Sequence, residues 1–389
     1  MFSRYTVARE LRGYLAGATA ARAGDEMSGP ALLLLGFAVT GRPAAGSGLL
    51  AGVTIAGAAG GPLFGALLDR SGRPDRVQAW ALAGYALGIT AVEAALGHLA
   101  VPAVMLIALA AGLFSPAVAG GWTAQLPRLV TGPELDRGSA LDALTYTAAS
   151  LAGPALAAAV AAGVSARAAV LTAAALVALA IPAARSLSRY RPDRGDQDTP
   201  RKPLRRRMAE GFAVIAARRP LRRATVTSAV SYAGIGMLLD CCPVLGAQRL
   251  GAPARGALLI SAMAVASLAA NAALARGPGR PELRVAMSTL VMGAGMAAAA
   301  VAPGGLVVAA VALAGAGEGP QLTALFAIRH RETPDRMRGQ VYTTAASLKI
   351  AGLAAGAALG GPLAGHSVTA CLLIAAGTEL CAAASGLLL

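Results

Sequence analysis

The sequence is short of the residues on which soluble proteins and enzymes commonly rely. Charged residues make up 14% of its 389 residues and aromatic residues 4%, whereas hydrophobic residues make up 56%. This composition is too apolar for an ordinary soluble domain. Three histidines are scattered without metal-ligand spacing, and no nucleophile–base arrangement or phosphate-binding loop occurs. The sequence therefore predicts a membrane protein that is not an enzyme and has no metal or cofactor.

The cysteines and the positive net charge further limit the class of protein that this sequence can encode. Cys241 and Cys242 are adjacent, Cys371 and Cys381 lie in another apolar run, and no C-x-x-C pair occurs, so buried thiols are predicted. A net charge of +15 is compatible with nucleic-acid binding. The basic residues nevertheless concentrate between apolar segments, as they do in membrane proteins. The predicted surroundings are therefore a lipid bilayer and not nucleic acid.

Twelve apolar segments are long enough to cross a bilayer as helices. They fall at about residues 13–38, 46–69, 75–97, 103–127, 139–162, 166–187, 224–246, 254–276, 284–302, 304–328, 338–362 and 367–388. A basic, polar segment at 188–222 separates the first six from the last six and is predicted to be a solvated, partly disordered tether. The pattern indicates an all-α membrane protein with six-helix bundles at 1–187 and 223–389.

The distribution of lysine and arginine predicts the orientation. If both termini are cytoplasmic, 28 of the 34 basic side chains lie in inner segments and four lie in outer loops. Cytoplasmic loops carry such an excess of basic residues. Both termini and the linker at 188–222 are therefore predicted on the cytoplasmic side of the cell inner (plasma) membrane.

The two halves of the chain repeat each other. The stretch 72–75 (Gly-Arg-Pro-Asp) recurs at 279–282 (Gly-Arg-Pro-Glu), and the stretch at 133–138 resembles that at 334–339. The repeats keep their order and nearly keep their spacing. A duplicated six-helix unit explains this pattern, and transporters with parallel repeats are built in this way.

The loop after the second apolar segment carries a charged pattern with two glycines. Gly65 is predicted to allow close approach of another helix, and Asp69 to face the positive N-terminus of one. Gly72 is predicted to permit the turn, while Arg70 and Arg73 hold the loop in the cytoplasm. The pattern resembles the signature loop between the second and third helices of the major facilitator superfamily. Pro74 replaces the final basic residue of that signature.

The resemblance implies a fold and a mode of action. Members of this superfamily have twelve helices in two pseudo-symmetric bundles, and the substrate path runs between the halves. A monomeric secondary transporter that works by alternating access is therefore expected. The run at 23–26 and the loop at 133–138 look most like those of bacterial drug and metabolite exporters.

Ionisable residues within apolar segments are the candidates for chemistry, because charge is costly in lipid. In the first segment, Arg22 shares a helical face with Asp25 and Glu26. Two readings stay open: a structural ion pair, or a cavity-facing carboxylate that takes a proton or a cationic substrate. Asp240 in the seventh segment either serves the cavity or ends its helix. Glu318, between glycines in the tenth, is read as a transport residue or as a charge paired with a neighbour.

Further candidates follow from charge and from small residues. Lys349 is the neighbour considered for Glu318, and Glu93 and Glu379 are weaker carboxylate candidates. Gly153 and Pro154 are predicted to bend the fifth segment, and they resemble part of a glycine-proline pattern of antiporters in the superfamily. Small residues at 352, 356, 360 and 361 are predicted to pack against the second segment.

Three functions are weighed on this basis. The first is proton-coupled efflux of a hydrophobic or cationic small molecule. The alternative is uptake of a sugar, an amino acid or another small metabolite by the same fold. A non-transporting scaffold or sensor is the third, and the buried carboxylates argue against it because a scaffold has no need of them.

Overall fold

A computed structural model of the chain describes residues 2–130, 132–187, 203–252, 255–274 and 280–388. Helices dominate every one of these ranges, and β-structure in them is confined to an isolated bridge between Leu96 and Leu99. The helices are α1 (Phe2–Thr40), α2 (Pro43–Arg70), α3 (Pro74–Ala95), α4 (Val101–Gly112), α5 (Gly120–Thr123), α6 (Pro133–Gly163), α7 (Ala166–Leu179), α8 (Ile181–Ser186), α9 (Leu204–Ala217), α10 (Arg219–Leu250), α11 (Gly256–Leu274), α12 (Pro281–Val301), α13 (Leu306–Glu332), α14 (Arg338–His366) and α15 (Val368–Leu388).

The helix positions confirm the all-α membrane fold. Within the described ranges, ten stretches are long and apolar enough to cross a bilayer. The long helices α1 and α3 occupy the first and third predicted positions and are not among these ten. Three of the four cysteines are buried and Cys381 is exposed, and all four are free thiols.

The fourth predicted segment is not one continuous helix, so that expectation was wrong. After α4 the chain forms a 3₁₀ turn at Ser115–Ala117, then the short α5 and a second 3₁₀ turn at Leu126–Arg128. Pro116 and Pro127 lack the backbone N–H that a continuing helix needs, and glycines between them favour irregular backbone. The buried backbone here approaches other elements closely.

The segment between the predicted bundles contains a helix where a tether was expected. Residues 188–202 lie outside the described ranges, but α9 follows them directly at Leu204. Ile215 on this helix is buried, and a Cβ at Gly211 would fall within contact of the Gln340 side chain. The basic face of α9 stays exposed at Arg205 and Arg206. An amphipathic helix buries its apolar face in this way, which composition alone did not indicate.

The described chain forms two compact units. The first comprises residues 1–138, 148–213 and 334–347, and the second comprises 139–147, 214–333 and 348–389. Three helices are therefore divided. Residues 139–147 of α6 and the last four residues of α9 belong to the second unit, and the first ten residues of α14 belong to the first. Each unit is described separately below.

The small residues of α14 at 352, 356 and 360 form a stripe that packs against α10. The sequence had predicted packing against the second segment instead. A Cβ at Gly356 would lie 2.6 Å from the carbonyl carbon of Ala233, and a Cβ at Gly360 would lie 2.8 Å from the Cα of Met237. The stripe thus brings two backbones of the second unit together. The pattern predicted a close contact correctly, but a stripe of small residues does not specify which helix fills it.

Substitution of this stripe is expected to destabilise the second unit. Gly356→Ala should lower the free energy of unfolding by about 1–3 kcal/mol, because the added methyl group overlaps the α10 backbone. Gly365→Ala on the same helix is the matched control, since nothing lies within 4 Å of a Cβ there. Thermal unfolding followed with a thiol-reactive dye checks this, since three buried cysteines become labelled on unfolding. Equal unfolding temperatures for both variants would contradict the close contact.

Candidate functional site

The middle of α1 holds a hydrogen-bonded carboxylate. Asp25 Oδ1 accepts a hydrogen bond of 2.7 Å from the hydroxyl of Tyr85 on α3. The Tyr85 oxygen also lies 2.9 Å from Ser28 Oγ, and Ser28 Oγ donates to the carbonyl of Asp25 at 2.7 Å. Tyr85 and Ser28 are fully or almost fully buried, whereas Asp25 is partly exposed. The three groups form a compact polar site inside the first unit.

Arg22, one turn before Asp25, is also deeply buried. Its side chain is 1% exposed, and Nη2 donates a 3.0 Å hydrogen bond to Thr123 Oγ1 in α5. Next to Thr123, Trp122 packs against Tyr14 with ring centroids 5.9 Å apart. The irregular fourth segment therefore supplies the partner of the α1 guanidinium. Sequence reasoning considered only partners within α1, because Thr123 lies 101 residues away.

Glu26 marks the point where α6 crosses α1. A Cβ at Gly153 would lie 2.6 Å from the Glu26 Cβ and 2.8 Å from its carbonyl carbon. Pro154 follows inside the continuous helix α6. The structure thus gives Gly153 a packing reason in addition to the predicted bend, because any side chain there would meet the α1 backbone. Arg22, Asp25, Glu26 and Gly153 all belong to one region of the first unit.

Asp69, near the end of α2, contacts the N-terminus of α14. The sequence had predicted that it faces the N-terminus of another helix. Its Oδ1 accepts a hydrogen bond from the Gly339 amide and its Oδ2 accepts one from the Gln340 amide, each at 2.7 Å. The first amides of a helix have no partner within the helix, and the helix dipole favours a negative charge there. One carboxylate therefore satisfies two such amides. Both partners lie in the part of α14 that belongs to the first unit.

The contact between α2 and α14 continues along a glycine ridge. Thr343 Oγ1 donates to the Gly61 carbonyl at 2.6 Å, and Ser347 Oγ donates to the Gly57 carbonyl at 3.2 Å. A Cβ at Gly65 would lie 2.7 Å from the Gly339 carbonyl oxygen. The glycines at 57, 61 and 65 are four residues apart, so they share one face of α2. Gly65 thus permits the close approach that the sequence predicted.

The turn between α2 and α3 has a backbone conformation without a positive φ. Arg70, Gly72 and Arg73 are exposed, and Gly72 does not adopt a positive φ. Nothing lies within 4 Å of a Cβ at Gly72. The turn is instead held by Ser71, whose Oγ accepts a 3.0 Å hydrogen bond from the Arg73 amide. The backbone conformation at position 72 is therefore one that other residues also adopt.

In the second unit, Glu318 on α13 lies beside an aromatic cation site. Tyr232 donates a hydrogen bond of 3.3 Å to Glu318 Oε1. Lys349 Nζ lies 4.3 Å from the ring centroid of Tyr232 and 5.4 Å from that of Tyr146. Lys349 also interacts electrostatically with Glu318. The structure thus brings Glu318 to the neighbour considered for it, and it adds two tyrosines that the sequence did not single out.

Glu379 on α15, one of the two weaker carboxylate candidates from the sequence, lies in a network of buried polar side chains. It is 0% exposed, and its Oε1 accepts a 3.1 Å hydrogen bond from Ser231 Oγ. Gln321 Nε2 donates to Ser231 Oγ at 3.1 Å and to Thr289 Oγ1 at 2.7 Å. Polar side chains on four otherwise apolar helices are the signal that could have predicted this network.

Asp240 belongs to neither polar site of the second unit. It lies toward the end of α10 and is partly exposed. A Cβ at Gly360 of α14 would lie 2.9 Å from its Oδ2. Beyond it α10 continues to Leu250, so Asp240 does not end the helix. Within the described ranges, no three acidic, cysteine or histidine side chains group as a metal site.

Comparison with known proteins shows the family of this chain. The profile described as Major Facilitator Superfamily matches residues 14–357. A protein of Sinorhizobium fredii (strain NBRC 101917 / NGR234), described as the uncharacterized MFS-type transporter y4rN, is 29% identical over 378 residues, which cover 95% of this chain and 92% of that protein.

Two solved structures have a similar fold. The human organic anion transporter MFSD10 (TETRAN) superposes with a TM-score of 0.76 at 16% identity, over 98% of this chain and 99% of that chain. The proton:xylose symporter XylE superposes with a TM-score of 0.71 at 16% identity, over 98% of this chain and 94% of that chain.

Proposed function

Because this chain belongs to the Major Facilitator Superfamily, whose members are multi-pass membrane transporters, we propose that it exports a hydrophobic or cationic small molecule in exchange for protons. The observation that carries the proposal is the Asp25 carboxylate in the middle of α1, held by the Tyr85 hydroxyl at 2.7 Å. A carboxylate is retained within a membrane span at high cost and generally serves an ion or substrate path.

The same carboxylate gives a physical route to exchange. A proton and a cationic substrate both bind an ionised carboxylate, so binding of one opposes binding of the other. Tyr85 and Ser28 orient Asp25 without neutralising it, because both are uncharged. Competition at this site would link inward movement of protons to outward movement of substrate. Arg22, bonded to Thr123, supplies a fixed positive charge one turn away.

Transport by the purified protein in sealed vesicles tests the proposal. A panel of cationic dyes, antibiotics, sugars and amino acids is offered on either side of the membrane, with and without an imposed pH gradient. Proton-coupled export predicts that a cationic compound moves up its gradient toward the acidic compartment, and that an ionophore which dissipates the pH gradient stops this. Accumulation of a sugar or amino acid in the direction of proton flow would instead establish uptake, and no movement of any compound would favour a scaffold.

The proposed orientation makes a separate prediction. In a variant lacking the four native cysteines, Arg206→Cys should resist a membrane-impermeant thiol reagent in intact cells and should react after the membrane is opened. Arg206 is suitable because its side chain is 68% exposed. Arg42→Cys, in a predicted outer loop and also exposed, is the control that should react in intact cells. Strong labelling at position 206 from outside would overturn cytoplasmic placement of the linker.

A further inference from the structure

Glu379 on α15 lies inside the second unit, in contact with α10 and α12 and linked through Ser231 to α13. On α10, Ser231 donates to Glu379 Oε1, and a Cβ at Gly234 would lie 3.0 Å from the same oxygen. On α12, a Cβ at Gly293 would lie 3.1 Å from the Glu379 Cβ. On α13, Gln321 holds the Ser231 hydroxyl at 3.1 Å. Glu379 is 0% exposed as a result.

The second carboxyl oxygen has no partner. Glu379 Oε2 is buried and makes no hydrogen bond within the described part of the chain. The Ser231 hydroxyl has a single hydrogen, which it gives to Oε1 while its oxygen accepts from Gln321. An ionised carboxylate would leave one charged oxygen buried and unsatisfied, and this is among the most costly arrangements in a protein interior.

In the part of the chain that the structure describes, the charged and titratable groups around Glu379 do not supply a counter-ion. From α13 it faces Glu318, which carries the same charge, and from α10 Tyr232 is bonded to Glu318. The groups of α12 that enter the network, Thr289 and Met292, are uncharged. On α14, Lys349 interacts with Glu318 and stacks on Tyr232. Two neighbouring carboxylates resist simultaneous ionisation, so one of the pair holds a proton.

We propose that Glu379 is a second proton-binding site of this transporter, occupied in the present structure while Glu318 is ionised beside Lys349. The assignment follows from the partners that the described residues provide, since Glu318 has a cation and a tyrosine hydroxyl whereas Glu379 is hydrogen-bonded by Ser231 alone. It goes beyond the proposed function, which places the exchanged proton on α1, and it depends on neither the direction of transport nor the substrate. Release of this proton requires that the network at Ser231 opens to water.

Infrared difference spectroscopy of the purified protein in lipid tests the assignment without any transported compound. At pH 7, wild type minus Glu379→Gln should show the carbonyl stretch of a protonated carboxyl group, with slow exchange in D₂O because the group is buried. Glu134→Gln is the matched control, because Glu134 is exposed and its substitution should leave this band unchanged. Ser231→Ala should shift the band, since it removes the hydrogen bond to Oε1. A wild-type band that survives in Glu379→Gln would overturn the proposal.

The pH dependence of unfolding provides a second readout. If folded Glu379 holds a proton that the unfolded chain has lost, stability falls as pH rises above about 4.3, by roughly tenfold in the unfolding equilibrium per pH unit while the difference lasts. Glu379→Gln cannot lose a proton, so its unfolding temperature should fall less between pH 5 and pH 9. Parallel pH profiles for wild type and variant would contradict the assignment.

These outcomes separate the two proposals. If vesicles show no proton-coupled transport but the band is lost in Glu379→Gln, the proton site stands and the proposed function fails. If transport is coupled but the band survives, only the second site fails. Should Glu379→Gln not fold, the wild-type band and its shift in Ser231→Ala still decide the question, because a wild type without such a band contradicts the proposal.

Discussion

Asp25→Asn is expected to abolish accumulation of substrate driven by a pH gradient, while exchange of substrate without a gradient continues. Asparagine keeps the size of the side chain and still accepts the Tyr85 hydrogen bond, so the polar site of α1 should survive. It cannot bind and release a proton, which removes the coupling step. A neutral hydrogen bond is worth about 1–1.5 kcal/mol less than one to a charged group, so exchange should fall by no more than roughly tenfold.

Uphill and downhill transport in the same vesicles are the measurements that distinguish coupling from binding. Tyr85→Phe removes the donor to Asp25 but keeps the ring, so it should weaken coupled transport without abolishing it. Asp75→Asn, the same substitution in the first turn of α3, is the control for removal of a carboxylate elsewhere. If Asp25→Asn, Glu26→Gln and the double variant all accumulate substrate at the wild-type rate, α1 does not carry the coupled proton.

Asp69→Asn is expected to lower transport by at least tenfold with little loss of folded protein. The carboxylate accepts two amide hydrogen bonds from α14, and asparagine offers a single acceptor oxygen. Its amide group would face either Gly339 or Gln340 donor to donor. Because α14 leaves the first unit after Ser347, a loosened N-terminus alters the helix that continues into the second unit.

Transport rate and the amount of folded protein in the membrane must both be measured for this variant. Asp75→Asn, six residues away, provides the control for a change of charge near the same turn. Asp69→Glu tests geometry, since it keeps the charge but moves the oxygens, and it should restore only part of the activity. Wild-type transport by Asp69→Asn would remove this contact from the mechanism, whatever its role in packing.

The helix positions followed from the sequence because they depend on local composition. A run of about 20 apolar residues spans a bilayer wherever its neighbours lie. The contact of Asp69 with a helix N-terminus was also predictable, since an acidic residue at the end of one helix suits the positive end of another. The break after α4 was missed, although Pro116 and Pro127 were a local signal for it.

The partners of the buried polar groups were not predictable, because they come from distant parts of the chain. Tyr85 and Asp25 are separated by 60 residues, and Ser231 and Glu379 by 148. A lone carboxylate in the last helix looks the same in the sequence whether it faces lipid, water or the protein interior. Only packing shows that Glu379 is fully enclosed, and for the same reason the sequence did not specify α10 as the partner of the glycine stripe.

The division of α14 between the two units has a consequence for how the chain is made. Asp69 and the Gly339 amide that it binds are separated by 270 residues. At a synthesis rate of roughly 5–20 residues per second, Asp69 leaves the ribosome about 13–54 s before its partner. By the end of that interval the first six predicted segments have been made, yet the carboxylate at the end of α2 still lacks both of its donors. A nascent chain arrested before Pro334 should therefore be recognised by membrane quality-control proteases, whereas one that extends past Ser347 has all the segments of its first unit.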